Sequence, residues 1–396
     1  MIARNDYLQK LIDLRETSVI KIITGIRRCG KSTLFELYKD YLEKNGVDEN
    51  QIIHINFEDL TYEPLLNYKA LNDYITQRLD PKKMNYIFLD EIQAVEQYQK
   101  TVDSLLLKKN TDIYITGSNA YLLSGELATL LSGRYIKIEM QPLSFKEYLS
   151  VHPGQQNINR LYTTYLTDSS FPGALEFKDR NKIREYLSGI YHTIVMKDVI
   201  ARLNIGDVFM LESLIKYLFD TIGNLTSTKR IADTMTSAGR KISVHTVERY
   251  LSGLVDSYIL YRVPRYDVKG KQLLRTGDKY YVADIGLRYF LLGPTQMDRG
   301  HILENIVYLE LIRRDYRVSV GKIGTAEIDF IATNENGITY YQVALSVRDE
   351  NVLKRELAPL DEIKDHNPKF LLTLDDDPIS DYNGIKQINV LDWLIK

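Results

Sequence analysis

The chain has 396 residues, of which 44% are hydrophobic and 26% are charged, a balance typical of a globular protein that buries a sizeable core. Its length exceeds that of an ordinary single domain, so we expect several domains. A net charge of -2 excludes a generally cationic nucleic-acid coat protein, although a local basic face is compatible with it. The single cysteine excludes an internal disulfide framework and a cysteine-based zinc site.

The first residues, MIARNDYLQKLIDLRE, carry charges throughout and lack the apolar segment of a signal peptide. The sequence also contains no uncharged apolar run of about 18 residues, the length needed to span a membrane. We therefore expect a cytoplasmic protein that does not contact membranes.

Apolar segments alternate with helical patterns in the first third of the chain. The strand-like segments are VIKIIT at 19–24, QIIHINF at 51–57, NYIFLD at 85–90, TDIYITG at 111–117 and RYIKIEM at 134–140. Helical spacing follows the first strand at 31–46, precedes the third near 68–79 and follows it at 95–110. Strands separated by helices pair in parallel, so this part of the chain predicts an α/β fold with a covered parallel sheet.

The pattern changes after residue 142. Residues 143–202 have mostly helical periodicity, interrupted by the SSFPG turn at 169–173. Three further helical stretches occupy 208–260, and YILYRVP and KYYVAD then predict two strands that flank a charged tip. A helix from 299 precedes alternating strands, which predicts a second α/β domain at the end of the chain.

The segment GIRRCGKS at 25–32 matches the pattern G-x-x-x-x-G-K-[ST] and lies between a predicted strand and a predicted helix. Glycines at 25 and 30 permit turns that direct backbone N–H groups at phosphate oxygens, beside a helix N-terminus that favours anions. We expect Lys31 to bridge the β- and γ-phosphates of a nucleotide and Ser32 to hold Mg²⁺. The residues expected to contact the nucleotide are Gly25, Ile26, Arg27, Arg28, Cys29, Gly30, Lys31, Ser32 and Thr33.

Two carboxylates close the third predicted strand, in FLDE at 88–91. Ligands of α/β sheets bind at the carboxyl ends of the strands. We therefore expect Asp90 to hold Mg²⁺ through water and Glu91 to act as the general base that polarises the attacking water.

Polar residues near the next two strand boundaries extend the predicted site. Asn119, with Ser118 as the second choice, follows the fourth strand and is suited to orient the water or contact the γ-phosphate, although either residue also suits a helix N-cap. Arg134 precedes the fifth strand and is a candidate arginine finger, acting on its own nucleotide or on that of a neighbouring subunit. A solvated surface arginine is the alternative. We interpret Cys29 as a spacer in the loop and not as a redox switch.

These segments together resemble the prokaryotic AAA-type ATPases of the archaeal-ATPase group. The resemblance rests on ITGIRRCGKST at 23–33, FLDEIQ at 88–93, ITGSNA at 115–120, LLSGRY at 130–135, PLSFKEYL at 142–149 and IARNDYLQKL at 2–11. It implies an ASCE-type P-loop sheet, ATP as the nucleotide, hydrolysis driven by a glutamate and a C-terminal region of poorly understood function. The family's glycine pair before Phe-Pro is replaced by Ser169 and Ser170, so a role for that turn does not carry over.

Residues 208–282 have the pattern of a winged helix, with STKRIADTMTSAG as a short helix, ISVHTVERYLSGLVDSYI as a longer one and the hairpin near 261–282 as the wing. We expect a DNA-facing surface here, or else a protein-binding module with a solvated charged face. The candidate phosphate contacts are Arg240, Lys241, His245, Arg249, Lys269, Lys271 and Arg275.

Glu304 lies on a predicted helix, Glu327 and Asp329 on a predicted strand and Gln342 on the next strand. This arrangement resembles restriction-endonuclease-like domains, which collect a helix carboxylate, a strand Asp and a Glu-x-Lys motif around Mg²⁺. Glu304, Glu327 and Asp329 match the first positions, but the Glu-x-Lys position contains Gln342 and Ala344. A neutral amide and a missing lysine weaken both cation binding and water activation. We therefore expect a nuclease-like fold without nuclease activity.

These observations predict a P-loop sheet, a helical and winged-helix region and a restriction-endonuclease-like domain. The expected boundaries are 1–141 for the ATPase domain, 142–206 for the helical region, 207–293 for the winged helix and 294–396 for the last domain. The expected function is that of a nucleotide-driven switch with ATP and Mg²⁺ as cofactors. Its expected partners are double-stranded DNA, further copies of the chain or a protein client. The alternatives are an ATP-sensing binding module with negligible turnover and an ATP-regulated nuclease.

Overall fold

A computed structural model describes residues 2–118, 120, 133–154, 157–274, 277–293 and 299–396. It divides into two compact units. The N-terminal unit comprises the described residues up to Pro142 together with Asp256–Tyr258, and the C-terminal unit comprises Leu143–Val255 and Ile259–Lys396. None of the helices within these described ranges is long and apolar enough to cross a membrane.

The N-terminal unit contains a parallel sheet of five strands in the order β2-β3-β4-β1-β5. These strands are β1 (Ile20–Thr24), β2 (Ile52–Asn56), β3 (Asn85–Asp90), β4 (Thr111–Gly117) and β5 (Tyr135–Glu139). All four strand pairs are parallel. The predicted α/β class and all five predicted strands are therefore confirmed.

The four helices described in this unit are α1 (Asn5–Asp13), α2 (Lys31–Lys44), α3 (Tyr68–Thr76) and α4 (Tyr98–Leu106). The third predicted helix, at 95–110, is shorter than expected: α4 covers Tyr98–Leu106, and the positive φ of 54° at Gln97 delays its start. The sheet core is apolar on both faces, as a covered parallel sheet requires. Ile87 and Leu89 belong to one apolar cluster, whereas the ring of Phe88 contacts those of Phe35 and Tyr38 on α2.

The C-terminal unit begins with helices. They are α5 (Phe145–Ser150), α6 (Ile158–Asp168), α7 (Arg180–Thr193), a π-helix (Ile194–Ala201), α8 (Val208–Asp220), α9 (Thr228–Ser237), α10 (Val244–Asp256), α11 (Ile285–Leu292) and α12 (Arg299–Arg313). The predicted helical character of residues 143–202 is confirmed, with the expected break at Ser169.

Two further sheets complete this unit. A mixed sheet of eight strands has the order β14-β15-β13-β12-β11-β10-β7-β8, and β6 pairs with β9 in a separate antiparallel ribbon. The strands are β6 (Leu260–Val263), β7 (Arg265–Asp267), β8 (Gln272–Leu273), β9 (Lys279–Val282), β10 (Arg317–Ile323), β11 (Ala326–Asn334), β12 (Gly337–Val343), β13 (Lys369–Thr373), β14 (Ser380–Tyr382) and β15 (Ile385–Asn389). Helices α13 (Glu350–Asp361) and α14 (Val390–Ile395) accompany them.

The hairpin near 261–282 differs from the free wing that the sequence predicts. Its outer strands, β6 and β9, do pair with each other, but β7 in between adds in parallel to β10 of the large sheet. An unpaired strand edge satisfies its backbone groups by joining a neighbouring sheet. The middle of the predicted wing is therefore an edge of the eight-stranded sheet.

A close backbone approach marks the SSFPG turn. Ser169 adopts φ 99° and ψ 150°, a conformation that side chains rarely take. Its Cα would lie only 2.6 Å from a Cβ added to Gly286, at the start of α11. Asp284 stabilises the contact, because its Oδ2 accepts hydrogen bonds from the backbone N and the Oγ of Ser170. Burial raises the pKa of Asp284, and the hydrogen bonds from Ser170 oppose that rise.

We predict that Gly286→Ala destabilises the C-terminal unit by about 1–3 kcal/mol, because the added methyl group overlaps the backbone of Ser169. The fluorescence of Trp393, the single tryptophan, reports the urea midpoint of this unit. Gly189→Ala in α7 is the matched control: nothing lies within 4 Å of its added Cβ. It should be neutral or stabilising by up to about 1 kcal/mol. Equal midpoints for Gly286→Ala and the natural chain would contradict the predicted overlap.

Candidate active site

The carboxyl ends of the parallel strands bring the predicted nucleotide-site residues to one edge of the sheet. Thr24 lies opposite Gly117 in the strand register, and Leu89 lies opposite Ile115. Consequently the loop after β1, the carboxylates after β3 and the polar residues at the end of β4 are neighbours.

The loop after β1 depends on backbone conformations that glycine permits. Gly25 has φ 146°, and a Cβ at this position would lie 2.0 Å from the carbonyl oxygen of Met140. Gly30 has φ 105° and precedes α2, which begins at Lys31 without a side-chain cap. The first N–H groups of α2 therefore remain available for an anion.

An arginine from the N-terminal segment binds the backbone of the loop through hydrogen bonds. Arg4 is buried; its Nη1 donates to the carbonyl oxygen of Cys29 at 2.9 Å and its Nη2 to that of Gln141 at 2.6 Å. Cys29 is buried as well, and burial raises the pKa of its thiol against the opposing effect of Lys31. A neutral thiol agrees with the interpretation of Cys29 as a spacer.

The remaining loop residues differ in exposure. Ile26 is buried, whereas Arg28 is exposed and has a positive φ of 65°. Arg27 forms an ion pair with Glu58 at 3.6 Å. Ser32 is exposed and Thr33 is half-buried, both in the first turn of α2.

Lys31 is almost fully buried at the centre of the site. Its Nζ donates to the carbonyl oxygens of Gly25 at 3.1 Å and Ile26 at 3.4 Å. The same atom lies 3.9 Å from Oε1 of Glu91. The ammonium group of Lys31 and the carboxylate of the predicted base, Glu91, are therefore close enough to act on the same bound group.

Asp90 has one carboxylate oxygen engaged and one without a donor. Thr116 donates its hydroxyl to Oδ1, while Oδ2 is buried without a hydrogen-bond partner among the described residues. A buried anionic oxygen without a donor is costly unless a cation or water satisfies it. Asp90, with the exposed hydroxyl of Ser32, thus fits the Mg²⁺ that the sequence implies.

Glu91 is held by its neighbours in an unusual backbone conformation. It has φ 56°, and its backbone N donates to Oγ1 of Thr116 at 2.9 Å. Gln93 donates its Nε2 to Oε2 of Glu91. A non-glycine residue in the left-handed region costs free energy, which the Thr116 and Gln93 contacts help to offset.

The polar residues after β4 are only partly described. Ser118 is buried, and its Oγ has no hydrogen-bond partner among the described residues. Asn119, the preferred candidate for orienting water, lies outside the described residues. Ser118 stays the second choice on position alone.

Arg134 directly precedes the amino end of β5, whereas the phosphate loop follows the carboxyl end of the neighbouring strand β1. Its carbonyl oxygen accepts a hydrogen bond from the backbone N of Ile20, the first residue of β1, whereas the loop follows the last. The five residues of β1 separate these two ends of the sheet by about 16 Å, which exceeds the reach of one arginine side chain. Its Nη2 donates to Oδ1 of Asp103 on α4 at 3.1 Å. This geometry excludes Arg134 as a finger for the nucleotide of its own chain.

The candidate phosphate contacts of the middle segment are not equally available. Arg240 stacks over the ring of Phe209 at 4.1 Å and donates to Oγ of Ser213. Lys269 lies 3.5 Å from a carboxylate oxygen of Glu362. The other exposed candidates are Lys241, His245, Arg249 and Lys271, while Arg275 lies outside the described residues.

In the C-terminal segment the structure brings Glu304, Glu327 and Asp329 together, as their spacing predicts. Asp329 and Gln342 are neighbours across the antiparallel pair of β11 and β12. The three carboxylates surround Lys279 of β9, a residue that the sequence pattern assigns to a strand but not to a site.

Sequence reasoning also missed Arg4, Gln93 and Thr116. Thr116 gave the clearest signal, since a threonine at the end of one strand can face a carboxylate at the end of its neighbour. That inference requires the strand order, which places β3 beside β4 and not beside β1. Arg4 and Gln93 lie in the segments 2–11 and 88–93 that carry the resemblance, but no chemical pattern in the sequence singles out either side chain.

We predict that Thr116→Val lowers the free energy of unfolding of the N-terminal unit by about 1–3 kcal/mol. The near-isosteric change leaves the backbone N of Glu91 and Oδ1 of Asp90 without their shared partner. Urea unfolding followed by circular dichroism measures the change. Thr116→Ser, which retains the hydroxyl, is the control. A valine variant as stable as the serine variant would refute the proposed contribution of the hydroxyl.

The chain is similar in sequence to two domain families and to two relatives. Residues 17–149 match the family model described as an AAA domain, and residues 159–298 match a domain of unknown function. An uncharacterised protein of Haemophilus influenzae is 40% identical over 100% of this chain and 99% of its own length. An uncharacterised protein of Methanocaldococcus jannaschii is 33% identical over 80% of this chain and 73% of its own length.

Among solved structures, a Walker-type ATPase of Pyrococcus abyssi has 16% sequence identity and a TM-score of 0.49, covering 74% of this chain and 96% of that one. The full-length relative in H. influenzae and the AAA match establish the family. The chain therefore belongs, with these two uncharacterised relatives, to a family of AAA-type P-loop ATPases in which a domain of unknown function follows the AAA domain.

Proposed function

We propose that the chain binds ATP with Mg²⁺ at residues 25–33 and hydrolyses it to ADP and phosphate, using this turnover as a molecular switch. One observation carries the proposal: the buried ammonium of Lys31 lies 3.9 Å from the carboxylate of Glu91. The preceding residue, Asp90, has a buried carboxylate oxygen that lacks a hydrogen donor among the described residues. A nucleotide-binding AAA-type fold supports it.

The loop residues bind the phosphates. Backbone N–H groups at the start of α2 and the ammonium of Lys31 attract the phosphate oxygens, since both place positive charge next to the loop at 25–30. Ser32 and Asp90 are the residues suited to hold Mg²⁺, which neutralises phosphate charge when bound. Gly25 keeps the loop close to Met140, where a side chain would not fit.

Glu91 is the proposed general base. Its carboxylate accepts the proton of the attacking water, while Gln93 restrains Oε2 and Thr116 fixes the backbone beneath it. Positioned bases of this kind contribute about 10²–10⁴-fold to a rate. Asn119 or Ser118 is the proposed residue that orients the water.

Arg134 fits this scheme only as a residue supplied to another subunit. Since it lies at the far edge of its own sheet, an arginine finger at this position requires a homo-oligomer in which it reaches the nucleotide of a neighbour. Its partner Asp103 would then have to release it.

We predict that Lys31→Ala abolishes both ATP binding and phosphate release, because the phosphates lose their central cation. Glu91→Gln should retain ATP binding within a few-fold while lowering phosphate release at least ~100-fold. Calorimetry with MgATP and a phosphate-release assay measure the two effects. Lys44→Ala, at the exposed end of the same helix, should behave like the natural chain.

The outcomes separate the proposed enzyme from its alternatives. Phosphate release that survives Glu91→Gln would place the base elsewhere. ATP binding by the natural chain without any phosphate release would instead support a nucleotide-sensing module with negligible turnover.

A second candidate function is binding of double-stranded DNA through α10. The favouring observation is that the basic residues Lys241 and Arg249 are exposed before and within its first two turns, with the exposed His245 one helical turn from Arg249. Exposed cations near a helix start suit contacts with backbone phosphates. The attachment of β7 to the large sheet and the pairing of Lys269 weaken the role of the wing in this candidate.

We predict that a Lys241→Ala, Arg249→Ala double variant weakens duplex DNA binding at low salt. The dependence of log affinity on log salt should fall by about 1 for each phosphate that the variant no longer neutralises. Fluorescence anisotropy at several salt concentrations measures both effects. Lys386→Ala on β15 removes an exposed cation far along the chain and is the control. An unchanged salt dependence would favour a protein-binding role for this segment.

A further inference from the structure

The C-terminal unit contains a cavity of 690 Å³ between α12, β11, the end of β12 and α13. Its lining includes Glu304, Glu327, Asp329, Gln342 and Glu356. All of them except Glu356 are positions at which the restriction-endonuclease-like resemblance implies a divalent cation. Whether the cluster fits a cation depends on what each carboxylate oxygen already contacts.

Lys279 occupies the centre of the three carboxylates. Its Nζ lies 3.0 Å from Glu304, 2.8 Å from Glu327 and 3.7 Å from Asp329, and only 3% of its side chain is exposed. A divalent cation would need oxygens of the same side chains at about 2.0–2.6 Å. The ammonium and such a cation therefore exclude each other.

Further protein donors contact two carboxylate oxygens of the cluster. Oδ2 of Asp329 accepts a hydrogen bond from the backbone N of Val343 at 2.9 Å. Tyr281 donates its hydroxyl to the same Glu304 oxygen that Lys279 contacts. These two oxygens therefore have hydrogen-bond partners without a metal.

Gln342, which replaces a carboxylate in the resemblance, has a partner for each end of its amide. Its Oε1 accepts a hydrogen bond from the backbone N of Asp329 at 3.3 Å, and its Nε2 donates to Oε2 of Glu356 at 2.9 Å. A glutamate at this position would place two carboxylates against each other. The amide therefore matches Glu356 and not a cation.

The charge of Lys279 is maintained by its surroundings. Burial opposes the charge, but Tyr281, Glu304, Asp329 and Glu327 outweigh that effect and hold the pKa of Lys279 well above its ordinary value. Burial, together with Glu304, raises the pKa of Asp329. No group of three or more acidic, histidine or cysteine side chains in the described ranges has an arrangement that could hold a metal ion.

We propose that the ammonium of Lys279 takes the place of the divalent cation. Lys279, Glu304, Glu327 and Asp329 then form a permanent ion cluster beside the cavity, which joins β9, β11 and α12 without metal. The residues do not fit Mg²⁺, and the nuclease alternative fails for a reason beyond Gln342 and Ala344. The lysine that is missing beside Gln342 has its counterpart on β9, where it neutralises the carboxylates.

The test uses the full chain without nucleotide and Mn²⁺ as the probe, with bound Mn²⁺ counted by electron paramagnetic resonance. The natural chain should show no Mn²⁺ binding that is sensitive to Asp329→Asn. Lys279→Met should lower the melting temperature by about 10 °C, because removing one partner leaves buried carboxylates uncompensated. The same variant should gain Mn²⁺ binding, and adding Asp329→Asn to it should abolish the gain.

Asp90→Asn is the control that identifies Mn²⁺ bound near the phosphate loop. Binding of Mn²⁺ by the natural chain that disappears with Asp329→Asn would overturn the proposal. So would metal-dependent cleavage of duplex DNA that is abolished by the same change, or a folded Lys279→Met variant that binds no Mn²⁺. If Lys279→Met does not fold, the comparison of the natural chain with Asp329→Asn decides by itself.

Discussion

The in-register parallel pairing of β3, β4 and β1 is the constraint on which the candidate active site depends. Backbone hydrogen bonds align the three strands so that their carboxyl ends reach one edge. That alignment brings the phosphate loop next to Asp90 and Glu91, and it places the hydroxyl of Thr116 between the two acidic residues. A shift of one residue in β4 would turn Thr116 to the other face of the sheet and break both of its contacts.

Two groups of buried acidic side chains in this chain differ in how their negative charge is compensated. At the phosphate loop, Asp90 keeps one buried oxygen without a donor among the described residues, so the cost of its burial is offset only when a cation or water approaches. Around Lys279, each carboxylate already meets an ammonium, a hydroxyl or a backbone N–H. The first arrangement is suited to an exchangeable ligand, whereas the second is suited to holding secondary-structure elements together.

Backbone geometry constrains both units at positions where a Cβ does not fit. Gly25 passes 2.0 Å from the carbonyl oxygen of Met140, measured from the position that its Cβ would have. Gly286 meets the backbone of Ser169 in the same way. Ser169 adopts a backbone conformation that glycine takes more readily, and Asp284 accepts hydrogen bonds from the adjoining Ser170.

The sequence by itself determined the local features of this protein: the parallel strands, the helix after Gly30, the phosphate loop and the acidic pair after β3. These depend on residue order and periodicity over short distances, which a single sequence displays directly. Part of the second unit was also predictable, since Asp329 and Gln342 follow from one hairpin.

Only the tertiary structure decided which distant residues meet. It placed Arg134 at the far edge of its sheet, attached β7 to β10 and brought Lys279 to Glu304 and Asp329. Strand order and the packing of remote segments set these contacts, because the free energy of ion pairs and edge pairing depends on three-dimensional proximity and burial. The separation of two residues along the chain shows neither their proximity nor their burial in the folded structure.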